Sequence, residues 1–207
     1  MDKLIHIQLK QQTPEWINYR YSVITATDIG TILGYNEKFG RTTLELLNNK
    51  VNKTSVNIDN ENTRWGNTNE SIAVNKYEKK KKCTVKLFDI IQHKTISHYA
   101  FSPDGIVFHD DNNVTIIEVK CPLKRKITSG GIPDYYYAQV QWQLFIMNSY
   151  GFNCICDFVE YKPASISHTK KDILSIKSIE LDTEWIEDNL YLIEEFYTNY
   201  TTMIKKL

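Results

Sequence analysis

Apolar residues recur along the 207-residue chain at two spacings, one helical and one strand-like, and the switches between them mark out its elements. Thr13-Pro14-Glu15-Trp16 reads as a helix start, with Thr13 as cap and Pro14 where a backbone N–H would have no partner; this helix is predicted to end near Arg20. Thr27 is the expected cap of a second helix, with Ile29, Ile32 and Leu33 on one face and Gly34 suited to the left-handed residue that closes it. TTLELLNNK predicts a third short helix. The polar, Asn-rich residues 51 to 63 predict a loop, and helical spacing returns from about Asn67 to Lys80.

Strand patterns then follow in bulk: Thr84 to Asp89, Thr95 to Ser102, Ile106 to Phe108 and Val114 to Lys120, with Asp110 to Asn113 supplying a hairpin turn between the last two. A loop with Gly130, Gly131 and Pro133 leads into a strongly apolar helix, roughly Tyr135 to Met147. Asn153 to Tyr161 and a segment around Ile173 to Glu180 predict two more strands. Asp182 then opens an amphipathic helix carrying Trp185, Ile186, Ile193, Phe196 and Tyr200. Without repeats or low-complexity linkers, this order describes one α/β domain spanning residues 1–207.

Composition narrows the classes. A 42% hydrophobic content is ample for a core. With 25 basic against 25 acidic residues, a nucleic-acid partner would have to be held by a local basic surface rather than by the overall field. Cys83, Cys121, Cys154 and Cys156 lack a CxxC pair and read as reduced thiols of an intracellular protein, at a spacing that does not suggest an iron–sulfur cluster. His6, His93, His98, His109 and His168 form no zinc motif, the first residues do not resemble a secretion signal, and no apolar run is long enough for a bilayer.

The chemistry concentrates in FSPDGIVFHDDNNVTIIEVK, residues 101 to 120. Strand alternation points Glu118 and Lys120 to one face and Ile117 and Val119 to the other. Asp104, in the Ser102-Pro103-Asp104-Gly105 corner, lies on the hairpin partner, about 5 Å away. Adjacent carboxylates repel unless something positive lies between them, and hard oxygen donors favour Mg²⁺ or Mn²⁺, to which the Val119 carbonyl could add. Lys120 would then orient a water or offset charge on a phosphate, an arrangement suited to phosphodiester hydrolysis. Alone, an ExK reads more simply as a solvated strand face with Asp104 capping a turn. Two further residues weigh against that. Glu70 shares its helix face with Ala73, Val74 and Tyr77, so it points inward, and Gln139 lies one turn before Trp142 and Gln143 in a helix too apolar for the surface. A core-bonded amide would also account for Gln139.

The run RYSVITATDIG, WGNTNE, SPDG, IEVKCP and YYYAQVQ, in that order, resembles the bacteriophage lambda exonuclease family, also called the YqaJ-like viral recombinases, over roughly residues 14 to 161. That family belongs to the PD-(D/E)XK nuclease superfamily, so the resemblance implies a restriction-endonuclease-like α/β domain with a mixed central sheet flanked by helices. It implies Asp104, Glu118 and the Val119 carbonyl as ligands of Mg²⁺ or Mn²⁺, with two ions expected, Lys120 as the catalytic lysine, Glu70 as the helix acid completing the metal site, and Gln139 as the glutamine of the QVQ segment. It further implies 5′-to-3′ digestion of duplex DNA ends, leaving a 3′ strand for an annealing protein, with Arg20, Thr27 and Ser102 holding the 5′-phosphate. Guanidinium and hydroxyl donors suit a terminal phosphate dianion. Thr27 replaces the serine often found there and keeps the hydroxyl. Members can form trimeric rings, a property no feature of this sequence decides.

Lys124, Arg125 and Lys126 are expected to contact the DNA backbone; Lys79 to Lys82 read equally as a solvated face, and Arg41 is a weaker candidate. The leading expectation is a metal-dependent DNA exonuclease acting in recombination or repair inside a cell, in host cytoplasm or nucleus if viral. Its rivals are an endonuclease of the same superfamily and a non-catalytic DNA-end-binding protein.

Overall fold

The computed structural model describes residues 4–54, 60–127, 129–167 and 169–207. In chain order its elements are β1 (His6–Ile7), α1 (Pro14–Ser22), β2 (Ile24–Thr25), α2 (Ala26–Ile32), a 3₁₀ turn (Glu37–Phe39), α3 (Thr43–Asn52), α4 (Glu61–Lys81), β3 (Ile90–Gln92), β4 (Tyr99–Phe101), β5 (Gly105–Phe108), β6 (Asn113–Lys120), α5 (Asp134–Asn148), β7 (Asn153–Lys162), α6 (Ala164–Ser167), β8 (Ile173–Ile179) and α7 (Thr183–Ile204). The strands form two mixed four-stranded sheets, ordered β1-β3-β4-β2 and β5-β6-β7-β8. In the second, β6 and β7 run parallel and are joined through α5, while β5 and β8 pair antiparallel at the edges.

Helix α5 is apolar on almost every side because it is packed on almost every side. Ala138, Val140, Trp142, Leu144, Ile146 and Met147 are all fully buried, among β4, β7, α2 and α7. On the other face of the second sheet, α4 covers Ile117, Val119, Val159 and Tyr161 with Ala73 and Tyr77. β6 is thus buried on both faces, which is why its sequence is a run of apolar residues ended by charges.

Local chemistry accounts for the boundaries. Thr13 caps α1 by accepting from the Trp16 N–H, Asp182 caps α7 by accepting from that of Trp185, and Gly34 takes a left-handed φ of 78°. The cap of α2 is Thr25, two residues before the expected Thr27. The Asp28 carboxylate reaches back to the Thr25 N–H and hydroxyl, both at 2.8 Å, so the helix starts early and Thr27 lies inside it. Helix α4 also starts before the expected Asn67, because Asn60 caps it by accepting from Thr63 N–H; residues 61–66 carry no apolar spacing to reveal this. Of the loop expected over 51–63, the ends belong to α3 and α4, and residues 55–59 lie outside the described residues, as does His168.

Two expected strands are corrected. Thr84 to Asp89 contributes a single bridge between Lys86 and Ile106, because the Val85 N–H donates to the Glu78 carboxylate and the Asp89 N–H to His6 Nε2. Thr95 to Ser102 shrinks to Tyr99–Phe101, since His93 Nδ1 takes the N–H groups of Thr95 and Ile96 and turns the chain. The short strands β1, β2 and β3 have too few residues to show an alternating pattern.

Gly105 marks the tightest approach near the carboxylates. A Cβ on this first residue of β5 would lie 2.1 Å from Val85 Cγ1, so any larger residue would have to displace Val85.

Candidate active site

Asp104, Glu118, Glu70 and Lys120 come together where β6 ends. Asp104 Oδ2 accepts from the Val119 N–H at 2.6 Å, which ties the corner before β5 to the last residues of β6. Glu118 is buried, and both its oxygens are occupied: Oε1 accepts from Gln139 Nε2 at 2.6 Å and from Lys120 Nζ, and Oε2 from Gln143 Nε2 at 2.6 Å. Gln139 and Gln143 stand one turn apart on α5, so one helix face supplies both amides. Lys120 Nζ also lies 5.0 Å from the centre of the Tyr136 ring.

The electrostatics follow from three acids sharing one ammonium. Burial and then the neighbouring Glu118 push the Asp104 carboxyl well above its ordinary value, against the pull of Lys120. Glu70 is raised for the same reasons, burial first. Burial would lower the Lys120 ammonium, but Glu118 and Asp104 outweigh it and hold it above its ordinary value. The Cys121 thiol beside them is pushed up to about 12 by burial and by Glu70 and Asp104, too high for a thiolate nucleophile at neutral pH.

Among the described residues, no three His, Cys, Asp or Glu side chains converge into a ready-made cage for an ion. Glu118 is committed to its two amides and to Lys120, and Lys120 stands as the counter-ion of the cluster. The donors are nonetheless hard oxygens, and their excess of negative charge over one ammonium fits a divalent cation.

A second cluster adjoins the first. The Arg20 guanidinium lies 4.3 Å over the Trp16 ring and donates to Thr27 Oγ1 at 2.7 Å and Thr25 Oγ1 at 3.3 Å. Trp16 Nε1 donates to Ser102 Oγ at 3.3 Å, and Ser102 is two residues before Asp104. Beneath them Lys50 Nζ pairs with Asp28 at 2.9 Å and donates to the carbonyls of Arg20 and Val23, each at 2.8 Å. This pair, enclosed by α1, α2 and α3, holds the chain that carries Arg20. Burial raises the Asp28 carboxyl, but Lys50 and Arg20 more than offset that and keep it below its ordinary value.

The expected basic contacts divide. Lys124 and Lys126 are exposed, whereas Arg125 turns inward to the buried Glu160. Lys79, Lys80 and Lys82 are exposed at the end of α4, Lys81 pairs with Asp157 at 3.0 Å, and Arg41 is exposed. Of the three adjacent tyrosines, Tyr137 donates to Asp182 and Tyr135 packs edge-on against Phe39. All four cysteines are free thiols. Reading the sequence for site residues passed over Gln143, Trp16 and the Asp28–Lys50 pair. Gln143 had a signal, four residues beyond Gln139 on an apolar helix; Trp16 and Lys50 had none, because their partners are far along the chain.

Residues 15–149 match the profile of the YqaJ-like viral recombinase domain. An uncharacterized protein of Acanthamoeba polyphaga mimivirus is 27% identical over 168 residues, 75% of this chain; the chain spans only 30% of that protein's length. The crystal structure of an alkaline exonuclease from Laribacter hongkongensis superposes with a TM-score of 0.70 at 24% identity, over 94% of this chain and 95% of that one, and its complex with dAMP gives 0.71. A phage-related exonuclease from Haemophilus somnus superposes at 0.58 with 15% identity, over 89% and 96% of the two chains. At these identities the likeness is one of fold.

Proposed function

The chain belongs to the YqaJ-like viral recombinase family, and from that membership and the cluster at the end of β6 we propose that it is a metal-dependent exonuclease digesting duplex DNA from 5′ ends to leave 3′ single strands. The observation that carries the reading is the meeting of Asp104, Glu118, Glu70 and Lys120 beside the Arg20–Thr27–Ser102 group. Acids and amine on one side and guanidinium and hydroxyls on the other are what cleavage next to a terminal phosphate requires. Fold likeness to two exonucleases, one of them captured with dAMP, supports the same reading.

Asp104, Glu118 and Glu70, with the Val119 carbonyl, would hold one or two Mg²⁺ or Mn²⁺ ions, which when bound lower the pKa of a water and stabilise the leaving oxygen. Lys120, released from Glu118 as its sole cationic partner, would orient that water and offset charge on the scissile phosphate. Gln139 and Gln143 hold the Glu118 carboxylate in place, the orienting part that outer hydrogen bonds play at such centres. Arg20, Thr27 and Ser102 would receive the 5′-phosphate, with Trp16 bridging Arg20 and Ser102. We further propose that residues 1–207 act as one nuclease domain on DNA inside the infected cell, handing the 3′ strand to an annealing protein, and that copies can assemble as a ring. Among the described residues no helix is long and apolar enough to cross a membrane.

End-labelled linear duplex and covalently closed circles, each with Mg²⁺, test the reading. Stepwise release of mononucleotides from linear DNA alone is expected. Comparable cutting of circles would assign an endonuclease, and binding of ends without release of nucleotides in either Mg²⁺ or Mn²⁺ would leave a non-catalytic end-binding protein.

A further inference from the structure

The acidic–apolar–basic pattern at the end of β6, Glu118-Val119-Lys120, is repeated at the end of the neighbouring parallel strand as Glu160-Tyr161-Lys162. The register pairs Lys120 with Glu160, so the second copy is displaced by two residues along the sheet. Alternation places Glu160 and Lys162 on the same face as Glu118 and Lys120, toward Tyr136, whose ring packs on Phe158.

The two copies have opposite charge balance. At the first, three carboxylates share one ammonium. At the second, one carboxylate gathers cations: Glu160 is 1% exposed and pairs with Arg125 through Oε1 and with Lys177 Nζ through Oε2 at 3.5 Å. Lys162 is 7% exposed, and among the described residues its one hydrogen-bond acceptor is the Arg125 carbonyl, at 3.4 Å. With a single long contact to a neutral oxygen, Lys162 has no carboxylate paired with it among the described residues, so its ammonium lacks a counter-charge. Glu160, two residues before it on the same strand face, is already shared between Arg125 and Lys177. Arg125 and Lys177 keep 33% and 20% of their side chains exposed, so the group opens to solvent.

We propose that Lys162, with Arg125 and Lys177 gathered around Glu160, forms a seat for a backbone phosphate of the DNA strand being cut, next to the phosphate at the acidic centre. Two residues along one strand and one strand across separate Lys162 from Lys120 by about 8 Å, a distance of the order of one nucleotide step. A chain of phosphates laid across the strand ends would meet Lys120 first and Lys162 next. Glu160 is the positioning residue: it keeps Arg125 turned inward, away from the exposed Lys124 and Lys126, and without it the three cations would repel one another. The proposal rests on the nuclease reading and adds to it a diester contact distinct from the terminal-phosphate group at Arg20.

The test measures equilibrium binding of a short duplex with a 3′ overhang as a function of salt, in an Asp104→Asn background so that the DNA is not consumed, and steady-state digestion with Asp104 intact. Lys162→Gln is expected to lower the slope of log affinity against log salt by about 0.7–0.9, the loss of one phosphate contact. It is also expected to raise KM about fivefold while changing kcat less than twofold, and Lys162→Arg is expected to restore both. An unchanged slope and KM in a folded Lys162→Gln protein would reduce the cluster to a brace for residues 121–127 and overturn the proposal. So would weaker inhibition by the released mononucleotide with DNA binding intact, since the seat would then belong to product. Should Lys162→Gln not fold, Lys177→Gln is expected to lower the salt slope in the same way, and an unchanged slope there overturns the proposal equally. If the wild-type protein neither binds nor digests DNA, the nuclease reading itself is what fails.

Discussion

The ends of β6 and β7 carry nearly the same short sequence, Ile-Glu-Val-Lys and Val-Glu-Tyr-Lys, side by side in one sheet. Their surroundings make them opposites. Glu118 meets two amides from α5 and lies among further acids, whereas Glu160 meets Arg125 and Lys177. An ExK on a strand therefore specifies only that two charges share a face. Whether the place draws cations or anions is decided by what the neighbouring elements bring to it, here Asp104 and Glu70 on one side and residues 121–127 with β8 on the other.

That contrast can be broken most sharply at its acidic end. Asp104→Asn and Lys120→Met are each expected to reduce nucleotide release at least a thousandfold, from loss of charge stabilisation at the reacting phosphate, Asp104→Asn with little change in thermal unfolding and Lys120→Met with a lowered midpoint because the buried Glu118 loses its ammonium; near-wild-type turnover in either variant would remove the cluster from the chemistry. At the basic end the largest effect is on stability. Glu160→Gln leaves Arg125 and Lys177 facing each other without a carboxylate and is expected to lower the unfolding free energy by about 2 kcal/mol, smaller than for a fully enclosed pair because both cations reach solvent. Chemical denaturation reads this directly, and an unaltered midpoint would mean that Glu160 organises nothing.

Smaller effects sharpen the comparison. Gln143→Leu strips one amide from Glu118 and is expected to slow digestion about tenfold and raise the Mg²⁺ concentration needed for half-maximal rate, as loss of an outer-shell partner does; a rate loss with no change in metal requirement would assign Gln143 to packing. Arg20→Ala is expected to slow digestion about fivefold on 5′-phosphorylated ends, the loss of one charge-assisted contact, and to leave 5′-hydroxyl ends nearly unaffected. Equal loss on both kinds of end would dismiss the phosphate role of Arg20.

Much of the site was legible along the chain because its parts are local signals. The hairpin from Asp104 to Lys120 is a single stretch with a turn of its own, and Glu70 and Gln139 betray themselves as polar residues on apolar helix faces. What could not be read depends on partners distant in sequence. Trp16 reaches Ser102 across 86 residues and Lys50 reaches back 30 to the Arg20 carbonyl, and neither distance leaves a periodicity. Arg125 illustrates the same limit from the other direction. In a basic run it reads as a surface cation, yet 35 residues on lies the buried acid that turns it inward. The strand expected at Thr84 to Asp89 failed for a related reason, since side chains of Glu78 and His6 took the backbone donors a ladder would have used.

By itself the sequence determined the α/β order of elements, the faces that must be buried and the residue types that meet at the end of β6, because alternation and capping act over a few residues. Only the tertiary structure decided the sign of each charged patch. Electrostatic character depends on every group within several ångströms, and in this molecule those groups arrive from α4, α5, β8 and the residues after β6.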